Sequence, residues 1–138
     1  MNIYIPLFGM LFLTFIVWIT MYIKRISWVM KNRILPHTLS TPEKLNAQLP
    51  EEVNNASNNL KNLFELPIIF YVICLLAIIN NASDSVLVIS AYAFWLTRCI
   101  HSYIHCTRNI VKLRFFTYII SSLTLWFMVC YYAIQVSQ

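Results

Sequence analysis

The chain has 138 residues, of which 59% are hydrophobic and only 11% charged, and it carries a formal net charge of +5. Soluble domains carry about 25% charged residues, so a water-covered globule is excluded, and so is disorder, which needs low hydrophobicity. A single glycine, Gly9, excludes a phosphate-cradling loop or a dinucleotide fingerprint, and four cysteines without a C-x-x-C pair make neither a disulfide framework nor a zinc ribbon.

A membrane-spanning helix needs about 20 mostly apolar residues. Residues 3–23 and 115–136 contain no Asp, Glu, Lys, Arg or His and read as the first and last of four spans. The first is not expected to be a cleaved signal peptide, because no basic residue precedes Lys24 and the apolar run is too long. Between these two lie the shorter apolar runs 66–79 and 86–97. Each reaches spanning length only by taking in a charged residue, Glu65 in one and Arg98 in the other. The polar stretch NNASDS (80–85) joins them as a tight antiparallel hairpin. The expected helices are 3–23, 50–80, 85–107 and 114–136, in one domain over 1–138 with a segment 24–49 outside the membrane. Within that segment, Thr41-Pro42-Glu43 reads as an N-cap, a first-turn proline and an acidic first turn. Pro67 is expected to kink the second helix, because it removes a backbone donor.

The basic residues set the orientation. Lys24, Arg25, Lys31, Arg33, Lys44 and Lys61 lie in 24–62, and Arg108, Lys112 and Arg114 lie near the loop 105–114. The hairpin loop and both termini have none, so the basic segments are expected in the cytoplasm and both termini on the opposite side. The resulting fold class is an all-α membrane protein, a four-helix bundle running up-down-up-down. A basic rim beside a membrane is first a topology signal, and without a recognition motif it does not point to nucleic acid.

Ionisable residues at membrane depth are expensive and need a reason. Asn58, Asn62 and Glu65 form one stripe on the second helix, and Arg98, Ser102, His105 and Asn109 form another on the third, with His101 beside it. Counted from the hairpin at 1.5 Å per residue, Glu65 and Arg98 fall at nearly the same depth, so an ion pair is expected between them. It would serve either as a structural lock or as the wall of a ligand pocket. His101 and His105 form H-x-x-x-H, but no acidic residue lies between them and only Cys106 is close, so no metal site is expected. Cys74, Cys99, Cys106 and Cys130 read as apolar packing residues.

Asn62-Leu63-Phe64-Glu65 with Pro67 just after it, then Arg98-Cys99-Ile100-His101-Ser102 followed by Asn109 and Arg114, resemble one family in order and topology. The chain is similar to the MAPEG family, the membrane-associated proteins in eicosanoid and glutathione metabolism. That resemblance implies a homotrimer of left-handed four-helix bundles that binds glutathione between neighbouring subunits at the cytoplasmic rim. Arg114 matches the arginine that stabilises the glutathione thiolate, Asn62 and Glu65 match the motif residues of helix 2, and Arg25 matches a basic residue ending helix 1. Asn58 stands where glutathione-binding members usually have Arg, and Glu65 stands two rather than three residues before the proline. His101 and His105 occupy the positions nearest the family's ligand-facing tyrosines. Arg98 joins them as a candidate ligand contact.

The implied function is a glutathione-dependent transferase or peroxidase acting on lipophilic electrophiles that arrive from the bilayer. The alternative is a non-catalytic member whose polar stripe is structural or binds lipid. A small drug/proton exchanger is disfavoured, since such proteins rely on an acid within helix 1 and 3–23 has none.

Overall fold

The computed structural model describes residues 2–137, without the side chains of Pro36 and Thr38, and every regular element among them is helical. Helix α1 covers Tyr4–Lys31, a 3₁₀ turn follows at Pro36–Leu39, and α2 (Pro42–Gln48) is a short helix. Thr41 caps α2 by accepting from Lys44 N at 3.3 Å, with Pro42 in the first turn. Helices α3 (Glu51–Leu63), α4 (Leu66–Ile79), α5 (Ser85–Cys106) and α6 (Val111–Val136) complete the order.

Two boundaries differ from the sequence pattern. α1 runs on to Lys31, well past the charge-free stretch, because nothing between Lys24 and Lys31 breaks a helix and the basic side chains tolerate water. The second expected helix is two helices, broken at Phe64–Glu65, where Glu65 has φ −99° and ψ −104°. Pro67 has no N–H to give to Leu63 O and its ring would clash there, so the chain stops one turn early and restarts with the proline in the first turn of α4.

Three stretches are long and apolar enough to cross a membrane: α1, the broken stretch Glu51–Ile79 and α6. α5 has 22 residues, enough length for a span, but Arg98, His101, Ser102 and His105 make it more polar. Phe8, Phe12, Phe115, Phe116 and Leu123 are each more than 60% exposed, far beyond what a water-facing surface tolerates in one belt. These helices have the outward face of an integral membrane protein.

α5 lies at the centre of the packing. It packs most extensively on α6 and also touches α1 and α3, while α4 lies on α6. Phe70 of α4 stacks on Phe94 of α5 with ring centroids 4.7 Å apart, among the fully buried Met10, Cys74, Ala77, Leu87, Ala91, Leu125 and Met128. Gly9 allows α1 and α5 to approach closely, since a Cβ there would lie 2.4 Å from Trp95 Cε2. Small residues serve helix contacts in membranes in this way.

At the hairpin end, Asp84 caps α5 by accepting from Leu87 N at 2.8 Å. Its other carboxylate oxygen accepts from Tyr131 Oη and, at 2.8 Å, from Gln135 Nε2, tying α5 to the end of α6. Asn80 Nδ2 donates to Tyr132 Oη at 2.8 Å beside it. The Tyr131 hydroxyl, then the Leu87 amide, hold the Asp84 carboxyl below the ordinary carboxylate range.

Two measurements on detergent-purified protein check this packing. Overpacking costs about 1–3 kcal/mol and the helix-propensity gain from Gly to Ala is at most about 1 kcal/mol, so Gly9→Ala should lower the melting temperature and Trp95→Phe should relieve much of the loss. Because Asp84 ionises below its unfolded value of about 3.9, its stabilisation is full above that value and is lost as pH falls through the folded one. The melting temperature should therefore fall below about pH 4, and Asp84→Ala should flatten that acid slope while costing about 0.5–2 kcal/mol at neutral pH.

Candidate functional site

The amphipathic pattern of α3 decides which of its polar residues face inward. Val53, Ala56 and Leu63 are buried with Leu60 half-buried, and the polar residues sharing that side are Asn55, Ser57 and Asn59. Asn58 is exposed and Asn62 only half-buried, so the inward stripe is one residue offset from Asn58–Asn62–Glu65. One residue on a helix is a rotation of about 100°, enough to exchange the two faces.

The expected Glu65–Arg98 ion pair does not form. Glu65 is exposed at the α3–α4 break, whereas Arg98 is fully buried. Arg98 Nη2 donates to the backbone oxygen of Asn62 at 2.9 Å, its guanidinium lies 5.7 Å from the centre of the Tyr118 ring, and its Nε and Nη1 have no hydrogen-bond partner. The helix break turns Glu65 outward, and depth along an ideal continuous helix does not capture that turn. Arg98 is held by a carbonyl dipole and an aromatic face instead of a carboxylate.

His101 and His105 are buried next to Arg98, with their rings 5.7 Å apart and edge-on. His101 Nδ1 lies 3.0 Å from Arg114 O, which can only accept, so Nδ1 carries a proton, and Nε2 has no partner among the described residues. Thr117 Oγ1 is 3.3 Å from the same Nδ1. This imidazole fastens α5 to the first turn of α6. No group of three His, Cys, Asp or Glu among the described residues could hold a metal.

Arg114 itself, half-buried in the first turn of α6, belongs to a network across the rim. Its Nη1 donates to Asn109 Oδ1 at 2.6 Å, and Asn109 Nδ2 donates to Glu51 Oε1 at 3.0 Å and Asn55 Oδ1 at 3.1 Å. Asn109 has φ 48°, a left-handed conformation that Asn adopts more readily than most residues. The first turn of α3, the α5–α6 loop and the start of α6 thus converge on one side-chain amide. Further along, Ser102 Oγ donates to Asn59 Oδ1 and Asn59 Nδ2 to Cys106 Sγ, each at 3.4 Å. Arg25 stands apart, with Nη2 donating to Ser57 Oγ at 2.7 Å, in a small cleft beside α2.

Among the expected site residues, Arg98, His101, His105 and Arg114 therefore gather at the α5–α6 contact, with Asn62 joined through its backbone. Asn58, Glu65 and Arg25 lie elsewhere. The site also contains Asn109, which the third-helix stripe selected, and Asn55, Glu51 and Asn59, which the stripe pattern did not. The apolar register of α3 was the available signal for Asn55 and Asn59.

Glu65 and Arg98 should be only weakly coupled, since Glu65 acts on Arg98 without touching it. Glu65→Gln should change stability by less than about 0.5 kcal/mol, as exposed positions do. A double-mutant cycle with Arg98→Met should return a coupling within about 0.5 kcal/mol of zero; a coupling of several kcal/mol would restore the ion pair.

Comparison with protein families matches residues 3–134 to the model of the MAPEG family, nearly the whole chain. No curated protein and no solved structure gives a significant match. With that coverage, the chain belongs to the MAPEG family.

Proposed function

We propose that this protein is a glutathione-dependent membrane transferase or peroxidase acting on lipophilic electrophiles. In this reading α5 is the fourth span, the bundle runs up-down-up-down, both basic segments face the cytoplasm and both termini face away from it. Three copies assemble, and glutathione sits at the cytoplasmic rim between neighbours. The positive-inside rule and family membership support this arrangement.

The observation that carries the reading is the tethering of Arg114. A cation that served topology alone would snorkel freely to the headgroups. Arg114 Nη1 is instead bound at 2.6 Å to an asparagine that Glu51 and Asn55 hold in turn. This tether restricts where the guanidinium can go. Beside a thiol it favours the anion and lowers the thiol pKa, and the thiolate is the nucleophile. Attack of that sulfur on an electrophilic carbon forms the C–S bond of the conjugate. Either the leaving group departs with the displaced electron pair or the former π pair takes up a proton. Family membership is equally compatible with a non-catalytic role, and the same experiment separates the two.

Lysine satisfies the positive-inside rule as well as arginine does, but it cannot reproduce a planar fork of donors. Arg114→Lys should leave expression and trimer mass in native mass spectrometry unchanged while lowering chlorodinitrobenzene conjugation by about 10²–10³-fold, the usual effect of losing one positioned donor. Lys112→Gln is the control and should be near neutral. Full activity in Arg114→Lys would make Arg114 a topology residue. A wild-type protein that neither binds glutathione nor conjugates would be a non-catalytic member.

A further inference from the structure

A groove of about 1200 Å³ lies on the face shared by α1, the first turns of α3 and the last turns of α5. It is larger than the roughly 300–1,000 Å³ of ordinary small-molecule clefts. Arg114 and Arg98 do not line it. Its floor along α1 is apolar, with Leu13, Ile16 and Val17, and its mouth is charged, with Lys24, Glu51, Glu52 and Arg108. Along α1 the distance from Lys24 to Leu13 is about 16 Å at 1.5 Å per residue. That is about half of a hydrocarbon core of roughly 30 Å, so the groove is one leaflet deep, and Leu13 is the middle residue of the charge-free run 3–23.

The charges at the mouth are balanced and not self-neutralised. Lys24 Nζ spends two of its three donors on backbone oxygens, Cys106 O at 2.8 Å and Glu52 O at 3.3 Å, which pins it where three helices meet and leaves one donor free. Arg108 is exposed and its side chain makes no hydrogen bond among the described residues. Glu51 spends one carboxylate oxygen on Asn109 Nδ2 at 3.0 Å, and the Glu52 carboxylate has no partner among the described residues. An occupant that complements this mouth carries an anion and a cation on one headgroup above an acyl chain. Quaternary ammonium groups are recognised by aromatic cages, and among the described residues the only aromatic one lining the groove is Tyr103. A primary ammonium offers three N–H donors to carboxylates instead.

We propose that this groove binds an amine-headed phospholipid, with its ammonium between Glu51 and Glu52, its phosphate against Lys24 and Arg108, and one acyl chain along Leu13, Ile16 and Val17. Occupancy of the groove requires no glutathione chemistry, so it can hold in a catalytic or a non-catalytic protein.

Two native thiols report on the groove, because Cys99 and Cys106 both line it while Cys74 is buried in the core. In a Cys130→Ser background, the rates of maleimide modification of Cys99 and Cys106 are measured by mass spectrometry, with lysophosphatidylethanolamine, lysophosphatidylcholine or lysophosphatidylglycerol added to the detergent-purified full chain. The ethanolamine lipid should slow modification about tenfold when present at ten times its dissociation constant, and the other two should protect much less. Glu52→Gln should erase the preference for ethanolamine over choline, and Ile16→Trp, which fills the shaft, should abolish protection by all three. Equal protection by the three headgroups, or none, would overturn the proposal. Thiols that react only after the oligomer is dissociated would also overturn it, and would identify a second copy as the cover. None of these readouts contains glutathione, so a failure here is distinct from a failure of the conjugation assay.

Discussion

Helix α5 carries an arginine and two histidines that are buried among its neighbours, and the packing of the other helices follows from that constraint. Arg98, His101, Ser102 and His105 lie on its inner face with at most 3% of each residue exposed. Polar groups left facing hydrocarbon would cost several kcal/mol apiece, so the neighbouring helices must supply both cover and partners. α3 offers the Asn62 carbonyl to Arg98 and the Asn59 amide to Ser102, while α6 offers the Tyr118 ring and the Arg114 carbonyl. Most of these partners are backbone oxygens or an aromatic face. Such partners are available in any helical bundle without placing a second charge at depth.

The same solution recurs at the rim. Lys24 reaches two backbone carbonyls, and Arg114 reaches an asparagine amide rather than an acid. Cations held by dipoles keep their full charge available to a ligand, since no carboxylate has neutralised them. Asn109 is the hub because one amide both accepts from a guanidinium and donates to a carboxylate. A left-handed backbone conformation at that residue brings the amide between α3 and α6. The opposite end of the bundle is tied differently, by a single acid: Asp84 joins the start of α5 to Tyr131 and Gln135 near the end of α6.

The break at Phe64–Glu65 has consequences on both sides. It frees α3 to lean its Asn55–Asn59 face onto α5 while α4 packs its own apolar face around Phe70 and Cys74. A continuous helix would have to present both faces in one register, and its inner stripe would drift around the axis. The break also leaves Glu65 outside, so Arg98 makes no direct contact with a carboxylate and Glu65 acts on it only through space. The groove on α1, α3 and α5 opens beside this arrangement, with α3 entering at the rim and the apolar part of α1 facing α5 below it.

Features that depend on a few consecutive residues were legible in the sequence. The charge-free runs mark α1 and α6, Thr41-Pro42 marks the start of α2, Pro67 marks the interruption and NNASDS marks the turn between α4 and α5, because hydropathy, capping and proline geometry act within about one helical turn. Family membership was legible for the same reason, since Asn62, Glu65, Arg98, His101, Asn109 and Arg114 keep their order along the chain whatever they touch. Which polar residues meet was decided only by the tertiary structure. A turn of about 100° per residue separates Asn59 from Asn58, and the dihedral angles at Glu65 separate an inward acid from an outward one. The Asn109 hub and the groove exist only where three helices converge. Spacing along a helix sets the depth of a residue. Its facing depends on the rotation of each helix about its own axis, and contacts with neighbours far away in sequence set that rotation.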